Sequence, residues 1–88
     1  MSYEKLTNFQ SRIIIGNKQT LKAMKNSEVS EVFIATDADQ DLTEKVVALA
    51  RDLDLPCYRV NSMKKLGAAC GIEVGTSTVA IRNISFGE

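Results

Sequence analysis

Histidine is absent from these 88 residues, and only two cysteines are present. No serine or cysteine stands beside an evident base, so no nucleophile–base constellation can be named. The chain therefore reads as a non-enzyme needing no cofactor and no metal. Cys57 and Cys70 fit neither CxxC nor zinc spacing and sit in apolar neighbourhoods, as buried free thiols do. Internal repeats, low-complexity tracts and Pro/Gly/Ser linkers are missing, so residues 1–88 are taken as one domain. No apolar run approaches membrane-spanning length, and no basic-then-apolar signal pattern opens the chain, which points to the cytoplasm and away from a membrane. The five aromatics, Tyr3, Phe9, Phe33, Tyr58 and Phe86, do not interleave with lysines. That disfavours a base-stacking platform of the RRM or OB kind.

An excess of charge is also lacking. Eleven basic and eleven acidic residues cancel, so global charge announces no nucleic-acid partner. Their distribution says more. Residues 1–30 carry five Lys/Arg against two Asp/Glu, 31–56 carry two against seven, and 57–88 carry four against two. A polyanion would meet a local patch formed by the two basic ends.

What is present is an alternation of strand and helix patterns around a modest core. Short apolar runs at 13–15, 31–35, 57–60 and 77–83 read as strands. A weak first helix is expected at 3–9, and a second from Asn17 to about Lys25 with Leu21 and Met24 inward. A third carries Leu42, Val46, Leu49, Ala50 and Leu53, with Asp41 and Glu44 as a capping box. Ser62 caps a fourth over 63–70, and Gly71 is its C-cap. Pro56 opens the strand at 57–60, which suits an edge or a strand start. Such alternation predicts an α/β fold, a three-layer α/β/α sandwich around a four-stranded mixed sheet.

The run Gly16-Asn17-Lys18-Gln19-Thr20-Leu21-Lys22 carries the clearest chemistry. An apolar strand ends at a glycine, and Asn17 is expected as the N-cap of a basic helix. Amides at a helix start point outward from the positive end of its dipole and suit an anion. Lys18 and Lys22 lie one turn apart on a shared face. The run matches neither GxxxxGK[ST] nor GxGxxG, so nucleotide hydrolysis loses its main support. An ordinary strand–helix turn with solvated lysines is the competing reading.

A second segment runs from Leu66 to Gly75. Gly67 permits close helix packing, and Gly71 ends the helix. Neither explains Ile72 and Val74 in an otherwise polar loop. Apolar side chains exposed there suit packing against a base or sugar.

With these segments the chain resembles the L-seven-Ae kink-turn RNA-binding superfamily of ribosomal and ribonucleoprotein components, and its small bacterial members most. The likeness covers nearly the whole chain. It rests on Gly16–Lys22, on Ala35-Thr36-Asp37-Ala38-Asp39, and on Ser62-Met63-Lys64-Lys65-Leu66-Gly67 continuing through Ala69 to Val74. It implies that the helix tip enters the widened major groove of a kink-turn, where tandem sheared G·A pairs stack. A Gly-x-Asn-Glu-x-x-Lys motif contacts the guanines, and the loop at Ile72, Glu73 and Val74 covers a looped-out base. Gly16 and Lys22 match that motif. Lys18 stands where the family often has Asn, and Gln19 where it often has Glu. Glutamate can accept twice from a guanine donor edge, whereas glutamine offers one acceptor oxygen and an amide donor. An acidic residue matching Asp39 is implied to position the RNA-facing lysine.

Asp37-Ala38-Asp39-Gln40-Asp41 imitates the start of an EF-hand loop, but Leu42 replaces its glycine and Ala48 its closing glutamate. The expected RNA-binding residues are therefore Gly16, Asn17, Lys18, Gln19, Lys22, Asp39, Ile72, Glu73 and Val74. The expected partner is structured RNA containing a kink-turn, ribosomal or regulatory, which makes the ribosome a candidate partner. Nothing demands a dimer, and a monomer is expected. The rival is a ribosome-associated interaction or assembly factor on the same fold with weak RNA affinity. The departures at Lys18 and Gln19 keep it open.

Overall fold

Three helices and four strands make up residues 12–83, which the computed structural model describes. In chain order they are β1 (Ile13–Ile15), α1 (Asn17–Lys25), β2 (Val29–Ala35), α2 (Gln40–Asp52), β3 (Cys57–Val60), α3 (Met63–Ala69) and β4 (Thr78–Arg82). The helix expected at 3–9, like Tyr3, Phe9 and Phe86, lies outside the described residues. The strands form a mixed sheet in the order β1-β4-β2-β3. β4 runs antiparallel to both neighbours, pairing Ile15 with Val79 and Phe33 with Val79. β2 and β3 are parallel, Ala35 beside Val60, with α2 as their crossover.

Side chains on successive strand residues point to opposite faces, and the sheet uses both. Phe33, Ala35, Val60, Val79 and Ile81 pack with Leu66 of α3 on one face. Val32, Ile34 and Ala80 pack on the other with Ala23 and Met24 of α1 and Val46 and Ala50 of α2. The result is the three-layer α/β/α sandwich anticipated from the alternation. Phe33 is fully buried and stacks on half-buried Tyr58, ring centroids 5.1 Å apart. Pro56 enters β3 at the sheet edge, where its missing N–H costs no ladder bond. Among the described residues no helix is long and apolar enough to cross a membrane.

Several local expectations change. β2 begins at Val29, two residues before the apolar run, with a register irregularity between Val29 and Glu31. The N-cap of α1 is Gly16, and Asn17 is already helical. α2 is capped by Asp39, whose Oδ1 accepts from the Asp41 N–H at 2.9 Å, so the Asp41–Glu44 capping box does not form. The buried stripe of α2 is Thr43, Val46 and Ala50, leaving Leu42 47% and Leu53 39% exposed. Leu42 lies about 100° around the helix from Thr43, and Leu53 is the C-cap beyond the last helical residue.

Each helix among the described residues closes in the same way. Its C-cap is Asn26, Leu53 or Cys70, and the next residue, Ser27, Asp54 or Gly71, has φ of 59°, 59° or 83°. Gly71 therefore follows the C-cap of α3 and is not the cap itself. The paired bonds Gly71 N–H to Ala68 O and Ile72 N–H to Gly67 O define a Schellman motif. Cys57 and Cys70 are free and half-buried, not fully enclosed.

Candidate nucleic-acid interface

Gly16 turns the chain from β1 into α1 with φ 105°, a conformation open to glycine and strained for other residues. Nothing lies within 4 Å of the position a Cβ would take, so the backbone angle alone demands glycine there. Its N–H donates to the Thr78 carbonyl at 2.9 Å, and its own carbonyl accepts the first helical bond from Thr20. No side chain caps the helix and no acid sits in its first turn. The amides of Asn17, Lys18 and Gln19 thus stay open at the positive end of the dipole. Lys18, Gln19 and Lys22 are exposed around them.

Asn17 has a different task from the one its residue type suggested. The fully buried Thr78 donates its hydroxyl to Asn17 Oδ1 at 3.1 Å. With that oxygen occupied, the Asn17 Nδ2 donors are the free end of the amide. The tip becomes rich in donors, and Gln19 Oε1 is its main exposed acceptor.

The loop after α3 reaches the same end of the sheet. It lies against α3 because Gly67 has no side chain: a Cβ there would overlap the Val74 carbonyl. Thr76 anchors the loop twice, its N–H donating to Met63 O and its hydroxyl to Thr78 O, both at 3.1 Å. One carbonyl, that of Thr78, therefore accepts from Gly16 of the helix tip and from Thr76 of the loop. Ile72 is half-buried, Glu73 exposed, and Val74 70% exposed. Tip and apolar loop are joined through one buried threonine.

Asp39 sits at the start of α2 with one carboxylate oxygen holding the Asp41 amide. Its companion Asp37 accepts from the Met63 N–H at 2.9 Å, tying the end of β2 to the start of α3. Two of the three carboxylates of the EF-hand-like run, Asp37 and Asp39, are therefore helix-start acceptors. Sequence reasoning passed over Thr76, Thr78 and the anchoring of Asp37. Their partners lie as far as 61 residues away, and no local spacing announces such pairs. The nearest signal was the alternation of Thr76 and Thr78 at the entry to an apolar strand.

Comparison with known proteins gives the family of the chain. Residues 2–86 match the model of the ribosomal protein L7Ae/L30e/S12e/Gadd45 family. The chain belongs to that family. Its relatives include the RNA-binding protein YbxF of Geobacillus stearothermophilus, 51% identical over 92% of this chain and 98% of the relative. An RNA-binding protein of Bacillus pumilus is 54% identical over the same shares. Among solved structures, the Giardia lamblia 15.5kD RNA binding protein superposes with a TM-score of 0.84 at 26% identity, over 89% of this chain and 68% of that one. In this L7Ae-family chain the two thiols lie on opposite faces of the sheet. Burial pushes Cys70, at the end of α3, up to about 11. Cys57 is raised by burial as well, with the nearby Arg59 charge opposing in part.

Proposed function

We propose that this chain binds structured RNA containing a kink-turn and stabilises the bend, without catalysis. The observation that carries the reading is the junction at Thr78, which sets an open helix tip and an exposed apolar loop side by side. Open amides with Lys18 and Lys22 suit phosphate, Gln19 and Lys22 suit base edges, and Ile72 and Val74 suit an unstacked base. Asp39 steadies the start of α2 through the Asp41 amide. A regular A-form major groove is too narrow for a helix, so the target must be opened by distortion, as at tandem sheared G·A pairs. The family's description and the names of its relatives support an RNA ligand. Ribosomal RNA or a structured regulatory RNA in the cytoplasm, bound by a monomer, fits the same reading.

A gel shift with a kink-turn RNA, and with a version whose G·A pairs are replaced, tests it. Strong binding to the first and weak binding to the second is expected. Equal binding to both sinks the kink-turn assignment, and binding to neither favours an assembly factor that contacts protein. Lys22→Ala should cost about 1–3 kcal/mol if that lysine reads a guanine. Gln19→Glu should hold or improve affinity. Few phosphates are engaged at the tip, about 3–5, so log affinity should fall with log salt at a slope of about −3 to −4.

A further inference from the structure

A groove of about 210 Å³ runs along α1 away from its tip, lined by Ile14, Gln19, Lys22, Asn26, Glu28 and Arg82. We infer that this groove is a second phosphate-binding site, holding the RNA backbone where it leaves the helix tip. The inference rests on the RNA-binding reading above and extends it to residues that neither the motif nor the loop contains. Gln19 and Lys22 belong to both surfaces, so a strand seated at the tip needs no gap to continue into the groove. Arg82 lies just past the pairing of Ile13 with Ile81, at the opposite end of β1 from Gly16. Three strand residues separate those ends, which is about 10 Å.

The chemistry of the lining selects the ligand. Two cations, Lys22 and Arg82, and two side-chain amides face one acid, Glu28. The exposed guanidinium of Arg82 is a fork that matches phosphate oxygens in pairs. The groove is smaller than the roughly 300–1,000 Å³ of enclosed small-ligand pockets, which suits a backbone laid across it. Ile14 forms an apolar wall beside the polar lining.

Anisotropy titrations of the 88-residue protein against the two RNAs above, across about 50–200 mM salt, test this. Arg82→Gln should weaken binding about three- to tenfold on either RNA and make the salt slope shallower by about 1. Glu28→Gln should strengthen binding about two- to fivefold by removing the only acid among the described lining residues. Arg59→Gln, on the edge strand β3, should change neither. An Arg82→Gln protein with the parent's affinity and slope overturns the inference, as does a parent that binds neither RNA. If the parent binds both RNAs equally, the kink-turn reading fails, and an intact slope change at Arg82 still supports the groove.

Discussion

At the scale of single residues, the arrangement of the helix tip depends on a side chain that never touches solvent. Thr78 is fully buried, and its hydroxyl fixes which end of the Asn17 amide looks outward. Thr78→Val keeps the shape and removes the donor. Asn17 can then rotate and offer its oxygen to phosphate, which repels it. The substitution should cost about 0.5–1.5 kcal/mol of stability and weaken RNA binding about three- to tenfold. Thr78→Ser should restore binding. Paired measurements by thermal melting and anisotropy check this, and undiminished binding by Thr78→Val would mean that the Asn17 amide takes no part. The candidate residues on α1 were legible because Gly16 to Lys22 is one contiguous run. Thr78 was not, because its role exists only once β4 lies beside β1.

At the scale of elements, each of the three helices among the described residues is followed by a left-handed residue, and only one of these is glycine. Ser27 and Asp54, both at φ 59°, hold the position that Gly71 holds after α3. A left-handed L-residue costs about 1–2 kcal/mol, offset by about 0.5–1 for the extra freedom glycine loses on folding. Asp54 also sets a carboxylate at the negative end of the α2 dipole. Asp54→Gly should therefore stabilise by about 1 kcal/mol and Ser27→Gly by about half that. For a chain of this size 1 kcal/mol moves Tm by about 4–8 °C, which calorimetry resolves. Equal or lower Tm in both variants would show that Ser27 and Asp54 make compensating contacts. Helix positions were legible because period and propensity are local. The buried face of α2 was misread at Leu42 and Leu53, because their apolarity does not say which stripe meets the sheet. Its cap was misread because Asp39 and Asp41 are equally good caps, and the chain's entry angle chose between them.

At the scale of the whole molecule, the sheet divides the core into two halves, and each half holds one thiol. Cys70 packs with the α3 side and Cys57 with the α1/α2 side. The order β1-β4-β2-β3 that separates them was not legible, since strand neighbours are set by long-range packing. The alternation of strand and helix patterns did foretell a sheet covered on both faces. That division gives alkaline stability a direct probe. The folded protein holds the Cys70 proton to about 11, against an ordinary value of 9.0. Below about pH 9 the thiol is protonated in both states, and its contribution is fully present. As pH rises from 9 through 11, the unfolded chain loses the proton first and stability falls. Cys57 is raised in the same sense and adds to the loss. Urea denaturation should therefore give similar stability at pH 7 and 8.5 and a decline by pH 10.5. Cys70→Ala should flatten much of that decline, though at some packing cost at every pH. If Cys70→Ala and the parent lose stability in parallel between pH 9 and 10.5, the thiol at the end of α3 is energetically silent.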